Sequence, residues 1–298
     1  MILSSLKSFI SKKFYIVGIF CNDQTDIFND DSLKYIKWIK FPGYKKNWLA
    51  DPFILSVTDT EIVFFAEQMD SVKKKGKLVK VIVDRSNYTV NSISDILELD
   101  THLSFPIIFT DGDDVYVYPE NYQSGSLKIY KYNYQESRLE NPVELISEPL
   151  VDTQILKYDN KYFAFGTKNI TGELDDTRIL YIYKSDTLLG EYKLFQIINN
   201  NLKRERGAGQ IYDNHEHIVR PVQGCDKAYG ECIYFNELIY KDDKFIQNCI
   251  SSVKSTKHYP EGIHTYNTYG NISIIDSYGF VYGKIWSYIK NILYAIRY

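Results

Sequence analysis

The chain has 298 residues, of which 44% are apolar and 24% charged, and these proportions exclude a disordered tail, a collagen-like rod and a coiled coil. The net charge of −3 gives no basic field that would favour binding to nucleic acid. Aromatic residues reach 15%, with 27 Tyr among them, and this abundance favours β structure because such side chains suit a pleated, half-buried surface.

The cysteines and the apolar runs bear on the compartment in which the protein works. The chain has four Cys and no C-x-x-C pair, so neither a disulfide scaffold nor a zinc site is expected. Lys12 and Lys13 interrupt the apolar run at the N-terminus, and no uncharged apolar stretch is long enough to span a bilayer. We therefore expect a cytoplasmic protein with reduced thiols.

Short apolar and aromatic runs follow one another along the chain and are separated by turn residues such as those at 111–113 and 158–160. This pattern is typical of β-strands joined by hairpins. Helical periodicity is nearly absent before the C-terminus. The predicted strands include 14–20, 33–39, 61–67, 78–83, 114–118, 127–132, 161–165, 178–183 and 231–235.

Two series of special residues recur along these runs with a common spacing near fifty residues. The residues that open a strand are Asp51, Phe105, Asp152, Ala208 and His264. The residues that end the following strand are Glu67, Glu120, Thr167, Gln223 and Asp276. A period near fifty with several strands in each unit is typical of propeller blades. We therefore predict an all-β fold, a five-bladed β-propeller over residues 1–282.

The fifth repeat lacks its outer strands, because few residues remain after Asp276. The runs 14–20 and 33–39 are left over at the other end of the chain, and we predict that they complete the fifth blade and close the ring. Closure would remove the exposed sheet edge that an open blade leaves. A β-sandwich would explain the strands, but it would not explain the two matched series.

Residues 283–298 differ from the rest and predict a short amphipathic helix. Five apolar residues fall on one helical stripe, and the formal charges are Lys284, Lys290 and Arg297. A basic amphipathic helix with aromatic residues can lie on an anionic membrane surface, here through 284–298. Packing of the same helix on the rim of the propeller is the alternative.

The innermost strands of a propeller begin near its central channel, so residues that open different blades converge on one funnel. The predicted catalytic residues are Asp51, Glu120 and Asp152, because carboxyl groups from different blades can flank one glycosidic bond. Glu67 and Glu120 follow apolar runs, and a partly buried carboxyl has a raised pKa that suits a general acid. The predicted substrate-binding residues are Trp48, Glu67, His102, Arg206, Arg220, Gln223, His264 and Asp276.

Each of these residues also has a structural explanation. Asp51-Pro52 is a common turn, Trp48 can be a core residue, and the arginines can pair with aspartates that hold blades together. The histidines can be hydrogen-bonded within the core, or two of them with carboxylates could bind a cation. No metal ligand set stands out, and no cofactor is assigned.

The stretches around these residues resemble a known family. They are Ala50-Asp-Pro-Phe53, His102-Leu-Ser-Phe-Pro106, Tyr118-Pro-Glu120, Leu150-Val-Asp152, Leu188-Leu-Gly-Glu-Tyr192, Arg206-Gly-Ala-Gly209, Arg220-Pro-Val-Gln-Gly-Cys225, Tyr229-Gly230 and Gly262-Ile-His-Thr-Tyr-Asn267. From about Trp48 to Asp276 the chain resembles the N-terminal propeller domain of plant glucosamine inositolphosphorylceramide transferases and related domains from bacterial surface-polysaccharide clusters. More distantly it resembles five-bladed propeller glycosidases, where two Asp and a Glu form the site. Asp51 matches the Asp of their first blade, whereas the motifs around Asp152 and Glu120 differ from theirs.

The resemblance implies a glycosyltransferase-like enzyme at the inner face of the cytoplasmic membrane. It would move a sugar, for example a furanose, from an activated donor to a glycan or lipid-linked glycan in surface-polysaccharide assembly. Asp51 would act as base or nucleophile, and Glu120 or Asp152 as acid or charge partner. The two histidines and two arginines would hold donor phosphate or sugar hydroxyls. A glycoside hydrolase acting on furanosides or related sugars and a non-catalytic glycan-binding propeller are the alternatives.

Overall fold

The computed structural model describes residues 11–21, 35–70, 72–168, 178–199, 204–226 and 228–282. Twenty strands in this part of the chain form five four-stranded antiparallel sheets, which confirms the predicted five-bladed β-propeller. Among the described residues, no helix is long and apolar enough to cross a bilayer. The helix predicted for residues 283–298 lies outside the described residues.

Each blade has four strands, and in blades one to four the innermost strand is the first in chain order. Blade one contains β3 Leu49–Val57, β4 Glu61–Asp70, β5 Lys75–Asp84 and β6 Val90–Leu97. Blade two contains β7 Ser104–Asp111, β8 Asp114–Glu120, β9 Leu127–Asn133 and β10 Arg138–Ile146, with a short 3-10 helix at Tyr122–Ser124. Blade three contains β11 Leu150–Tyr158, β12 Lys161–Lys168, β13 Ile179–Ser185 and β14 Lys193–Asn199. Blade four contains β15 Tyr212–Asp213, β16 Ile218–Gly224, β17 Cys232–Lys241 and β18 Lys244–Val253.

Blade five joins the two ends of the chain. Its strands are β19 Tyr266–Tyr269, β20 Ile272–Tyr282, β1 Ser11–Cys21 and β2 Lys37–Trp38, in that order across the sheet. Strand β1 pairs with β20 along its whole length, from Ser11 opposite Tyr282 to Cys21 opposite Ile272. The predicted closure of the ring by N-terminal strands is therefore confirmed.

The hydrophobic core lies between neighbouring blades. Aromatic contacts mark three of these interfaces: Phe65 with Tyr132 between blades one and two, Phe109 with Tyr162 between two and three, and Phe165 with Phe245 between three and four. Separate buried clusters fill the two remaining interfaces, blade four against blade five and blade five against blade one. Each sheet is therefore held on both faces, which fixes the radial position of every innermost strand.

The strand pairing confirms that the two residue series are equivalent in blades one to three. Ala50, Ser104 and Val151, which directly precede an opening residue, lie opposite the strand-ending residues Glu67, Glu120 and Thr167. In blade four the N–H of Gln223 donates to the carbonyl of Arg206, and in blade five the N–H of Asp276 donates to the carbonyl of Thr265.

Three of the opening residues share an unusual backbone conformation. Asp51, Phe105 and Asp152 have φ values of 48°, 48° and 42°, and the register of each innermost strand shifts at that residue. Left-handed φ values are uncommon for residues other than glycine, and a bulge redirects the side chain and bends the strand. The three blades therefore use the same bulge at the point where each innermost strand begins.

Candidate functional site

The innermost strands begin around a cavity of about 720 Å³, at the end of the propeller that we call the mouth. The cavity is lined by Tyr15, Trp48, Asp51, Glu67, Met69, Lys74, His102, Ser104, Glu120, Tyr122, Gln123, Arg206, Tyr229 and His264. Seven of the eleven predicted site residues are in this lining. The other four, Asp152, Arg220, Gln223 and Asp276, are buried behind it.

Asp51 is the point where three blades meet. One of its carboxylate oxygens accepts the N–H of Phe105 at 3.2 Å, and the other accepts the hydroxyl of Thr265 at 2.6 Å. Its own N–H donates to Oδ2 of Asp276 at 2.9 Å. Burial raises the pKa of Asp51 to about 6, with the charge of His264 acting in the opposite direction. Asp51 is therefore ionised at neutral pH and held by donors from blades two and five.

His264 lies between two carboxylates. Its Nδ1 is 2.8 Å from Oδ1 of Asp276 and 3.6 Å from Oδ1 of Asp51. Burial alone would lower the pKa of His264, but the two carboxylates outweigh burial and raise it. The ring of Tyr15 stacks on the imidazole, with centroids 4.6 Å apart. The two carboxylates thus favour the imidazolium form of His264, and an aromatic ring covers one face of it.

Asp51, His264 and Asp276 are also the residues here that could hold a metal ion, because their ligand atoms lie within 4.8 Å of one another. Oδ1 of Asp276 already accepts the N–H of Thr265 at 3.0 Å and faces Nδ1 of His264. A metal would need the histidine to lose its proton and these hydrogen bonds to break. As arranged, the trio is an ion-paired hydrogen-bond network.

Glu67 and His102 form a second pair. The N–H of Gly76 donates to Nδ1 of His102 at 2.9 Å, so the neutral ring carries its proton on Nε2, 3.5 Å from Oε1 of Glu67. Among the described residues, that oxygen has no hydrogen-bond partner. Burial lowers the pKa of His102, and burial with neighbouring carboxyl groups raises the pKa of Glu67 well above its ordinary value. Burial therefore favours the neutral form of both groups, and the protonated form of Glu67 has a proton to donate.

Glu120 is the third carboxyl in the cavity wall. It accepts the hydroxyl of Ser104 at 3.1 Å and the N–H of Tyr122 at 2.9 Å. Burial raises its pKa to about 7, and the negative charge of Asp152 adds to that effect. Both protonation states of Glu120 are consequently populated at neutral pH, as general acid–base catalysis requires.

Asp152 does not reach the cavity, because it is bound by two residues of blade four. Nε of Arg206 lies 2.5 Å from Oδ2 of Asp152, and the side-chain amide of Gln223 donates to the same oxygen at 3.0 Å. The guanidinium of Arg206 is also 4.9 Å from the ring centroid of Tyr229. Asp152 and Gln223 therefore position Arg206, whose side chain lines the cavity. This Arg–Asp contact between blades is the structural alternative considered for the arginines.

Arg220 is fully buried within blade four and contacts blade three. Its guanidinium donates to Oε1 of Gln154 at 2.7 Å, to Oε2 of Glu205 at 3.2 Å and to Oε1 of Gln247 at 2.9 Å. The side chains of Arg220 and Glu205 are 0% and 2% exposed. A ligand in the cavity cannot reach this group without unfolding blade four, so its placement gives Arg220 a structural role instead of the predicted contact with substrate.

The cavity has an aromatic wall that the sequence analysis foresaw only in part. Trp48, a predicted substrate-binding residue, packs on Tyr15 with centroids 4.8 Å apart. Tyr15 comes from β1, the third strand of blade five, and its position in the wall follows only from ring closure. Tyr229 belongs to the Tyr229-Gly230 pair, one of the stretches that carry the family resemblance, and this pair was the sequence feature from which its place in the wall could have been predicted. Aromatic faces of this kind stack on sugar rings.

Other lining residues that were not singled out from the sequence come from the mouth-side strand ends and turns. They are Met69, Lys74, Ser104, Tyr122 and Gln123. Ser104 lies inside the His102–Pro106 stretch, so that motif could have predicted its place in the cavity. The others lie in no quoted motif and could have been predicted only from their nearness in sequence to predicted site residues.

Comparison with known proteins adds a family and a fold. The model of the family described as "Glucosamine inositolphosphorylceramide transferase 1, N-terminal" matches residues 37–268. The chain is 27% identical over 208 residues to glucosamine inositolphosphorylceramide transferase 1 of Oryza sativa subsp. japonica, and 28% identical over 204 residues to that of Arabidopsis thaliana. These matches cover 68% and 66% of this chain but 27% and 26% of the relatives, so the chain corresponds to about a quarter of their length.

A solved structure supports the architecture. An exo-β-1,3-galactanase from Phanerochaete chrysosporium, in complex with β-1,3-galactotriose, superposes with a TM-score of 0.55 at 11% identity. The match covers 72% of this chain and 54% of that chain. At this level of identity the likeness concerns the fold alone.

Proposed function

The chain belongs to the family of the N-terminal domain of glucosamine inositolphosphorylceramide transferase 1, and on that basis we propose that it transfers a sugar from an activated donor to a lipid-linked glycan. The observation that supports the proposal best is the cavity at the mouth. Three carboxyl groups with raised pKa values, those of Asp51, Glu67 and Glu120, line it together with the cations of Arg206 and His264.

The protonation states suit a transfer reaction. The oxygen of an acceptor hydroxyl forms the new bond to the anomeric carbon, while the bond from that carbon to the donor's phosphate oxygen breaks. Asp51, ionised at neutral pH, takes the proton of the acceptor hydroxyl as general base. Glu120 gives a proton to the leaving phosphate, and the guanidinium of Arg206 binds its negative charge. One proton is taken up and one is released, so the site's net charge is unchanged.

The remaining groups orient the substrates. Glu67 and His102 offer an O–H and an N–H, which suit the ring oxygens and hydroxyls of a sugar. Trp48 and Tyr15 offer the aromatic face on which a sugar ring packs. Asp152 is the charge partner that holds Arg206. Membership of the family supports a lipid-linked acceptor in general, and a glycan of surface-polysaccharide assembly is our proposal for its identity.

Hydrolysis is the second candidate, and the paired carboxyl groups favour it. A glycoside hydrolase needs one carboxyl as acid and another as base or nucleophile, and Glu120 with Asp51 could fill both roles. In that case water replaces the acceptor hydroxyl. The arginine and the histidine beside the acids are the features that favour a phosphate-bearing donor over a simple glycoside.

The test is a product assay on the purified chain. It is incubated with a panel of nucleotide-activated sugars, with and without a lipid-linked acceptor, and in parallel with synthetic glycosides. Product that requires the acceptor supports transfer, whereas free sugar released from a glycoside supports hydrolysis. Binding of donor without turnover would overturn both and leave a glycan-binding propeller. Glu120→Gln should abolish turnover, while Glu144→Gln, which alters an exposed carboxyl of blade two, should not.

A further inference from the structure

The turns at the two ends of the propeller differ in charge. Among the described residues, the turns that face away from the mouth contain nine acidic residues and, among Lys and Arg, a single Arg85, while the adjoining strand ends add lysines such as Lys193, Lys241 and Lys244. The acidic residues in these turns are Asp59, Asp113, Glu136, Asp159, Asp186, Glu191, Glu216, Asp242 and Asp243. An anionic surface would therefore repel this end of the molecule.

Two adjacent mouth-side segments of blades one and five are basic instead, although the β6–β7 turn of blade one carries Glu98 and Asp100. Loop 41–47 supplies Lys45 and Lys46, and the turn between β4 and β5 supplies Lys73 and Lys74. All four side chains are exposed, and neither of these segments contains an acidic residue among its described positions. Lys12, also exposed, lies beside them near the start of β1.

Contacts between these segments show that the lysines share one surface. Nζ of Lys45 lies 5.6 Å from the ring centroid of Phe14 in β1. The carboxylate of Asp70 accepts the N–H groups of Val72 and Lys73, and the charges of Lys73 and Lys46 both help to lower its pKa. Asp70 is thus a turn-capping acid inside the patch, and it offsets one of the five positive charges.

We propose that this basic patch, formed by Lys12, Lys45, Lys46, Lys73 and Lys74, docks the mouth onto a membrane surface rich in anionic phospholipid. The charge contrast between the two ends sets the orientation, because it attracts one end and repels the other. Val72, 72% exposed at the tip of the β4–β5 turn, places an apolar side chain between the lysines and the membrane, where it can enter the headgroup region.

The position of the lysines favours a surface over a small anionic ligand. Lys74 lines the cavity, but Lys12, Lys45, Lys46 and Lys73 do not, so four of the five charges lie outside the space that a donor phosphate would fill. They spread along the rim on two blades, as contacts with many separate headgroups require. The inference deepens the proposed function, because docking would bring the cavity to the bilayer where a lipid-linked acceptor lies.

Sedimentation of the full chain with vesicles tests the proposal. Vesicles of phosphatidylcholine alone are compared with vesicles that also contain phosphatidylglycerol, at low and physiological salt. The test variant is Lys45→Gln/Lys46→Gln/Lys73→Gln. The matched control, Lys193→Gln/Lys241→Gln/Lys244→Gln, removes the same charge from exposed lysines near the opposite end.

We expect binding that needs phosphatidylglycerol and weakens with salt. A lysine near an anionic surface contributes about fivefold in affinity, so the rim variant should bind roughly a hundredfold more weakly, and the control within about twofold of the parent chain. Equal losses in the two variants, or binding that ignores phosphatidylglycerol, would overturn the proposal. Binding of soluble pyrophosphate by the chain, combined with no binding to vesicles, would also overturn the proposal and would assign the lysines to a free phosphate.

Turnover of a soluble acceptor without vesicles separates this inference from the proposed function. The rim variant keeps that turnover if only docking fails. If the parent chain sediments as expected yet turns over no donor, the proposed function fails and docking stands.

Discussion

The buried guanidinium of Arg220 offers the sharpest test of which predicted residues contact substrate. Arg220→Met keeps an unbranched apolar stem but removes the charge, so the carboxylate of Glu205 stays buried with the amide of Gln247, 3.1 Å away, as a remaining donor. Removing one partner of a buried ion pair costs about 3–5 kcal/mol, because the other charge remains desolvated. Since domains are stable by only about 5–15 kcal/mol, this loss would be a large fraction of the total.

Blade four also supplies the control. Arg204 pairs with Asp226, with the two side chains 34% and 30% exposed, so Arg204→Met should cost about 1 kcal/mol or less. Both variants remove one positive charge and replace arginine by methionine. In urea unfolding, with a slope of roughly 3 kcal/mol per molar for a chain of this size, the midpoint should fall by about 1 M or more for Arg220→Met alone.

A structural role for Arg220 would be refuted by two results together. The free energy of unfolding of Arg220→Met would fall no more than that of Arg204→Met, and donor binding would be lost. A role in holding Glu205 predicts in addition that Arg220→Met/Glu205→Gln regains part of the lost stability, because no unpaired charge is then buried.

Three further substitutions test the cavity itself. In Gly76→Ala the new Cβ would lie 2.5 Å from the carbonyl oxygen of Leu103, so we expect the free energy of unfolding in urea to fall by roughly 1–3 kcal/mol. The fall should be smaller for Gly279→Ala, where the nearest atoms are ring carbons at 3.2 Å or more. Because the pKa of Glu120 is raised from 4.5 to about 7, the free energy of unfolding should decline as the pH rises between those values. Glu120→Gln should remove roughly 3 kcal/mol of that decline, and an unchanged pH dependence would contradict the raised pKa of Glu120. His264 has a raised pKa, so its stabilising ion pair is complete below pH 6.5 and is lost as pH rises through the folded value. The gap in unfolding free energy between the parent chain and His264→Gln should therefore narrow as the pH is raised above neutrality, and a gap that widens would be inconsistent with an imidazolium.

The sequence was sufficient for the blades because their spacing reflects a geometric requirement. Each blade begins with an innermost strand beside the channel and ends with an outermost strand at the rim. The residue that opens a blade and the residue opposite it therefore recur together once in every blade. Glu67 lies opposite Ala50, and Glu120 lies opposite Ser104. The two series found from their spacing therefore belong to paired strands of the same hairpins.

Spacing could not show which polar residue faces the cavity. Glu120 and Asp152 both lie at mouth-side strand ends. Arg206 reaches across from the next blade and binds Asp152, whereas among the described residues Glu120 accepts hydrogen bonds from a serine hydroxyl and a peptide N–H and stays in the wall. That difference depends on which side chain the neighbouring blade presents at the same height. Tyr15 was missed because the predicted ring closure by 14–20 did not show which end of that strand reaches the mouth.

The same convergence makes Asp51 both a structural and a chemical residue. Its carboxylate accepts donors from blades two and five, so the ring is tied together at the group that the proposed reaction uses as base. Burial pushes Asp51 toward its neutral form, while the imidazolium of His264 and the two donors favour the ionised form. A base with these opposing influences keeps a pKa of about 6, nearer to neutrality than a solvated aspartate, and is held rigidly by the strands that it joins. Asp51→Asn would therefore alter ring stability and proton transfer together, so turnover measured on that variant gains meaning only beside its unfolding free energy.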